Sequence, residues 1–333
     1  MNNLSFSLFV IFAGLSSGYL LRQVVNQGYV KLPFSLTSLA KWGRNIGITV
    51  IIPLAFLLAI WVTSLSDHRL FLMPFIGLAT LVFGGICGYL IGVYNKSSDR
   101  DKAVLFCSTS FTNIGAVGSL VCYLFLGEAG FALVTFYRFF EEVYYFTVGY
   151  PVTQMIGDAG NQRKEPILQK LLRILKQPFL QAILLALTIG VSLNLLNVER
   201  PAQLGVVNNY LIPCGAFILL FSVGLGLRFS SIKDYLKLSV HVATVRATVV
   251  PLFAVSLAWA LGLGEIDNGL ALGVVLILSA MPTAVNAIVA TSVYDLDIDL
   301  ANSAWAVSTA SMAIVLPCIY LLIHLLGFGV SVL

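Results

Sequence analysis

The sequence predicts an all-α membrane protein of ten transmembrane helices, arranged as two inverted five-helix repeats. Three observations lead there. Hydrophobic residues occupy 59% of the 333 positions and charged residues only 10%, more apolar surface than a water-soluble domain could hide in one core. Short polar segments divide the chain into ten apolar stretches, each near the roughly 20 residues that a helix needs to cross a bilayer. Cations are plentiful in every second connecting loop and rare in the others, the pattern of a chain that crosses repeatedly. Only a helix satisfies its own backbone in lipid without closing into a barrel.

The expected spans are 5–24, 45–65, 70–94, 101–126, 128–157, 178–197, 203–227, 236–262, 268–294 and 298–326. The first is read as an uncleaved span, because Met1 to Phe6 carry no Lys or Arg and the first cation, Arg22, follows it. Loops after odd-numbered spans carry Arg22, Lys31, Lys41 and Arg44; Lys96, Arg100 and Lys102; Arg163, Lys164, Lys170, Arg173 and Lys176; and Arg228, Lys233 and Lys237. Loops after even-numbered spans hold only Arg69 and Arg200, while Arg138 and Arg246 lie inside spans. The bias places both termini outside an inner, or plasma, membrane. The net charge of +4 forms no dense basic stripe, so the expected partner is the lipid bilayer and not nucleic acid.

Five spans per half give the second half the opposite sense of insertion, so a duplication here is an inverted repeat: 1–157, a linker over 158–177, and 178–333. Pro53 in span two recurs as Pro213 in span seven, and Pro151 closing span five recurs at nearly the same spacing as Pro317 in span ten. In the linker, Ile167, Leu168, Leu171, Leu172, Ile174 and Leu175 alternate with Lys170, Arg173 and Lys176. This pattern predicts an amphipathic helix on the cytoplasmic surface, pinned to anionic lipid, with a signalling role as the alternative.

Cys87, Cys107, Cys122, Cys214 and Cys318 all fall in apolar stretches with neither disulfide nor metal-ligand spacing, and are read as small core residues. Gly14-Leu-Ser16-Ser-Gly18 matches the Gly-x-Ser-x-Gly nucleophile pattern, but it lies in an apolar helix without a His placed near it, where small residues suit helix packing. No metal motif appears. The expectation is a protein that is not an enzyme and needs no cofactor or metal.

Spans four and nine are interrupted near their middles. Span four carries Ser108, Thr109, Ser110, Thr112 and Asn113 just before Gly115 and Gly118; span nine carries Pro282, which lacks a backbone donor, with Asn286 one turn on. The repeat spacing brings Pro282 into register beside Gly115, and interruptions at equivalent positions point to a transporter site at the midplane. An opened helix frees backbone groups, and the N-terminus of a half-helix favours an anion. Asn113, Ser110, Thr112 and Asn286 could complete such a site with neutral donors. Close helix packing by small and polar residues is the alternative.

In-span ionisable residues are costly unless paired or wet. In span five Arg138 can meet both Glu141 and Glu142 at i+3 and i+4, either as a self-neutralising structural cluster or as a carboxylate linked to proton or sodium coupling with Arg138 as counter-charge. Arg246 in span eight has no partner within its own span. It is read as a fork for a substrate carboxylate, or as the partner of Glu141 or Glu142. His241 and His324 are read as helix-end residues, with proton relays as the weaker alternative. Asp295, Asp297 and Asp299 are read as a solvated helix cap, with a calcium site as the weaker alternative.

Thr112-Asn-Ile-Gly-Ala-Val-Gly in span four, Ala280-Met-Pro-Thr-Ala-Val-Asn-Ala-Ile-Val-Ala with Tyr294-Asp-Leu-Asp and Leu300-Ala-Asn-Ser around span nine, and the Pro53 and Pro213 segments together resemble the auxin efflux carrier family of the bile-acid and sodium symporter superfamily. The resemblance runs over essentially the whole chain, without the long central hydrophilic loop of plant members. It implies a scaffold and a transport domain, broken helices four and nine crossing at the site, elevator-type alternating access, a homodimer, and substrates such as auxin, malate or malonate. The family's anion-contacting Asn corresponds to Asn113 and its span-nine crossover Pro to Pro282. Where the first broken helix usually carries its own Pro, this chain has Ser119-Leu120, so opening is expected to rely on Gly115 and Gly118. The functional expectation is a secondary transporter of small organic anions; a membrane-embedded sensor or scaffold using the same pocket is the alternative.

Overall fold

The structure is a computed structural model and describes residues 3–157, 175–226 and 232–329. Among these the chain is all-helical. Its first half contains α1 (Asn3–Asn26), α2 (Leu36–Ile46), α3 (Ile52–Val62), α4 (Met73–Tyr94), α5 (Asp99–Ser110), α6 (Ser119–Tyr137), α7 (Glu141–Tyr144) and α8 (Tyr150–Ile156). The second contains α9 (Pro178–Leu195), α10 (Ala202–Gly224), α11 (Leu236–Ala247), α12 (Val249–Ala260), α13 (Leu270–Ser279), α14 (Val285–Val293), α15 (Ile298–Ala310) and α16 (Met312–Leu326). Of the predicted surface helix over 158–177, residues 158–174 lie outside the described residues.

Among the described residues seven helical runs are long and apolar enough to cross a membrane, and the pair α15 and α16, bent by 43°, makes an eighth. One of the seven, Ile114–Ile156, is 43 residues long, about twice what one crossing needs. It is divided by Gly127, whose φ of 71° and ψ of −165° leave the helical region, and by a turn over 138–140. The stretches expected as spans four and nine are not continuous helices. The first is α5 followed by an unwound segment at 111–113, and the second is α13 and α14 separated by 280–284.

The chain forms two compact units, and each draws segments from both halves of the sequence. Unit 1 comprises Met1–Ser66, Gly115–Thr135 and Lys176–Leu227. Here α1 lies against α10 on the small residues that resembled a nucleophile motif: a methyl group added at Gly18 would stand 2.2 Å from the Phe221 carbonyl oxygen. At the C-terminal end of α3, where the helix ladder runs out, the carbonyls of Ile60, Trp61 and Thr63 accept from the Asn194 amide at 3.0, 3.0 and 2.8 Å. Glu128, just past the Gly127 kink, is clasped by both terminal nitrogens of Arg200, at 2.5 and 2.9 Å, and by the Asn208 amide at 2.5 Å. The same guanidinium reaches the Leu58 carbonyl at 2.7 Å, and Phe56 stacks on Phe131 with ring centroids 4.3 Å apart.

Unit 2 comprises Asp67–Ile114, Phe136–Leu175 and Arg228–Leu333. Its α4 and α5 approach through glycine. A methyl group at Gly84 would lie 2.6 Å from the Thr109 carbonyl oxygen, and one at Gly88 would lie 2.2 Å from that of Leu105. On the other side Phe83 stacks on Phe253 of α12 at 4.0 Å. Arg69, just ahead of α4, binds Asp67 at 2.8 Å, Glu265 at 2.6 Å and the Gly262 carbonyl at 3.0 Å. Asp297 caps α15 by accepting from the Leu300 N–H at 2.9 Å, as the cap reading of the acidic cluster expected. It also accepts a hydrogen bond from Tyr235, whose hydroxyl this interaction pushes up to about 12.

Two expectations need correction. Cys107 and Cys122 are buried and Cys87 is half-buried, but Cys214 and Cys318 are exposed, so the cysteines are not all core residues: two sit on outward faces of apolar helices, where lipid suits a weakly polar thiol as well as a core does. His324 does lie in the last turn of α16, whereas His241 is inside α11, half-buried near Asn95.

The glycine seam has a direct test. Gly88→Ala should lower the thermal midpoint by the equivalent of about 1–3 kcal/mol, the usual cost of overpacking. Gly264→Ala should leave the midpoint unchanged, since an added methyl there meets only ordinary 3.5 Å contacts; equal midpoints for the two variants in detergent would contradict the seam.

Candidate functional site

The candidate site lies in unit 2, where the unwound segment after α5 meets the one between α13 and α14. The two run antiparallel and pair as a short ladder: Thr112 bridges Thr283, the Asn113 N–H donates to the Pro282 carbonyl at 2.9 Å, and the Ala284 N–H donates to the Phe111 carbonyl at 2.8 Å. The crossing of two broken helices, expected from the family resemblance, is thus present, with Pro282 at its centre.

The break in the first helix is not where the glycines predicted it. The chain leaves the helix at Phe111 (φ −85°, ψ 121°) and unwinds over 111–113, while Gly115 and Gly118 lie in the π-helical turn Ile114–Gly118 that follows. The Ser-Thr-Ser-Phe-Thr-Asn run explains this. Ser, Thr and Asn offer backbone groups an alternative to the helix ladder, and the β-branched Thr112 suits extended backbone. Gly115 lies one residue beyond the edge of unit 2 and is half-buried.

Buried backbone groups need partners, and most of those freed at the crossover find them in named side chains. The Thr112 N–H donates to the Tyr145 hydroxyl at 3.0 Å, and the Thr283 N–H to the Ser308 hydroxyl at 3.2 Å. The Ser108 carbonyl accepts from the Thr283 hydroxyl at 2.7 Å. The carbonyls of Thr109, in the last turn of α5, and Met281, two residues past the end of α13, both accept from Arg246, which is 1% exposed. Its Nη1 donates to Thr109 at 2.5 Å, and its Nε and Nη2 donate to Met281 at 2.8 and 2.5 Å. The same Nη2 reaches the Thr112 hydroxyl at 2.9 Å. Arg246 therefore binds neutral oxygens, and the carboxylate of Glu141 is engaged instead by Arg138 at 2.8 Å.

Around this centre the expected site residues divide in two. Ser110 and Thr112 are buried and engaged: Ser110 donates to the Leu81 carbonyl at 2.8 Å and lies 2.8 Å from the Tyr144 hydroxyl, while Thr112 accepts from Arg246. Asn113 and Asn286 are half-buried: Asn113 is the last unwound residue, immediately before the helical turn that begins at Ile114, and Asn286 lies in the first turn of α14. Their side-chain amides make no hydrogen bond among the described residues. Glu142 is half-buried beside Glu141.

Sequence reasoning passed over Tyr145, Thr283 and Ser308. Tyr145 connects the charged cluster to the crossover, because its hydroxyl donates to Glu141 at 3.0 Å while receiving the Thr112 N–H. Its position four residues after Glu141, on the same helical face, was the available signal. Thr283 and Ser308 gave none, since their role depends on pairing across distant segments.

A helical chain with long apolar runs and a buried crossing of two interrupted helices is, as a class, a membrane transport protein. Residues 45–320 match the family described as membrane transport protein, and the chain belongs to that family, the auxin efflux carrier family. Similar proteins include an uncharacterized transporter of Methanothermobacter thermautotrophicus, 25% identical over 276 residues that cover 82% of this chain and 86% of the relative. A Rhizobium meliloti protein with the provisional name malonate transporter is 26% identical, covering 76% of this chain and 77% of its own. An uncharacterized transporter of Methanocaldococcus jannaschii is 27% identical, covering 83% and 87%.

The bridging role of Tyr145 predicts that Tyr145→Phe loses about 1–3 kcal/mol of stability by stranding the buried Thr112 N–H. Tyr210→Phe, which alters a hydroxyl on an exposed ring of α10, should change nothing. Chemical denaturation of both variants measures the difference, and indistinguishable curves would refute the bridge.

Proposed function

We propose that this protein is a secondary transporter of small organic anions of the dicarboxylate or auxin-like class, and that the anion binds at the crossover of unit 2. The observation that carries the reading is the pair of half-buried, unengaged amides, Asn113 and Asn286, at the starts of the helical segments after the two breaks. Helix starts present N–H groups without intrahelical acceptors and partial positive charge, which suits a carboxylate. Membership of a transport family and a relative provisionally named for malonate support the same substrate class.

In this reading Asn113 and Asn286 contact the anion, and Ser110, Thr112 and Pro282 hold the crossing that presents them. Ten spans in two inverted repeats, residence in the plasma membrane with both termini outside, a homodimer, and elevator movement of unit 2 complete the proposal. The division into two compact units supports a scaffold and a moving element. An inside-negative potential contributes about 2.3 kcal/mol per 100 mV to export of each negative charge, so export needs no coupling ion. Import requires protons, sodium or exchange, and Arg138, Glu141 and Glu142, joined to the crossover through Tyr145, are the candidates for coupling.

The test is counterflow of radiolabelled malonate, malate and indole-3-acetate in proteoliposomes, with membrane potential, pH gradient and sodium gradient imposed separately. Saturable flux of at least one acid is expected, falling about tenfold in Asn113→Ala or Asn286→Ala, the equivalent of one lost hydrogen bond to a charged group. Absence of flux for all three acids, together with no thermal shift on their addition, would reject the substrate class and leave a sensor or scaffold as the better account.

A further inference from the structure

We infer that Arg246 is a positioning residue, the fixed internal cation that neutralises the two helix ends facing it and thereby leaves the crossover selective for anions. The inference rests on the transport reading above for its substrate, but its physical basis is separate. Arg246 makes four hydrogen bonds, to Met281 twice, Thr109 and Thr112, and every acceptor is a neutral oxygen. Two of these acceptors are carbonyls at or just past the C-terminal ends of α5 and α13.

The charges balance. A helix C-terminus carries roughly half a negative charge, so two such ends together present about one, which a single guanidinium offsets. Without Arg246, negative ends and positive starts would lie side by side at the crossing and largely cancel. With it, the positive helix starts beside Asn113 and Asn286 remain as the uncompensated field. The planar fork matters as well as the charge: Nε and Nη2 converge on Met281 while Nη1 and Nη2 reach Thr109 and Thr112 from the other segment. One rigid group therefore ties α5 and α13 together across the break, which a point charge on a flexible stem does less well.

Other clusters are accounted for locally. Arg69 and Arg200 face carboxylates, Asp67 with Glu265 and Glu128 respectively, and Arg138 faces Glu141. Arg246 differs in meeting only helix-end carbonyls and a hydroxyl.

The experiment compares wild type, Arg246→Ala and Arg246→Lys in two assays, each with and without low millimolar guanidinium, with equal urea as control. In proteoliposome counterflow with malonate, Arg246→Ala should raise KM at least tenfold, guanidinium should restore part of the loss, and Arg246→Lys should fall between. In detergent, guanidinium should raise the thermal midpoint of Arg246→Ala while leaving wild type unchanged, a readout that needs no substrate. A wild type that moves no acid would overturn the transport reading alone, because the midpoint assay still decides the role of Arg246. A folded Arg246→Ala that responds to guanidinium no more than to urea, or an Arg246→Lys no better than Arg246→Ala, would overturn this inference.

Discussion

The unwound backbone at 111–113 and 280–284 is buried among apolar side chains, and its peptide groups must find partners there without bulk water. Two helices each interrupted alone would strand several such groups. Crossing them lets each break satisfy the other, through Asn113 to Pro282 and Ala284 to Phe111, with Tyr145, Ser308, Thr283 and Arg246 supplying further bonds. The polar residues of the broken spans are therefore a consequence of the opening as much as its cause. Pro282 cannot donate to any helix ladder, and its carbonyl is put to use by the partner segment.

This crossing holds only if the surrounding helices approach closely and do not shift. In unit 2 the approach comes from Gly84 and Gly88, which bring α4 against the carbonyls of α5 just ahead of the break, and Ser110 then anchors that break to Leu81 of α4. Unit 1 uses different means for its own cohesion. Gly14 and Gly18 seat α1 on α10, and the Glu128, Arg200 and Asn208 cluster fixes the chain beyond Gly127 to the end of α3. Small residues and satisfied polar groups replace the hydrophobic drive that lipid does not provide between helices.

Much of this was legible in the sequence because it rests on composition and local spacing. The apolar stretches gave the helices, the small residues of Gly14-Leu-Ser16-Ser-Gly18 in α1 pointed to helix packing, the Arg138 and Glu141 pair followed from an i+3 spacing, and Asp297 read as a cap. The site was partly legible: Pro282 and Asn113 marked the crossing. Its register was not, because Gly115 and Gly118 looked like the weak point, whereas the opening is set by pairing with 280–284, segments far apart in the chain. Arg246 is the clearest case. Its sequence neighbours offered no partner, and carboxylates were the natural guess; its acceptors are two backbone carbonyls and the Thr112 hydroxyl, which come together only once two helices have broken.

In the proposed transporter the amides of Asn113 and Asn286 flank the bound anion at this crossing. Anomalous diffraction from crystals grown with bromomalonate tests it most directly, since bromine marks the ligand independently of its weak carboxylate density. A bromine peak is expected beside the starts of the segments after the two breaks, with carboxylate oxygens within hydrogen-bonding distance of both amides. A well-occupied peak elsewhere in the protein, with these amides untouched, would contradict it.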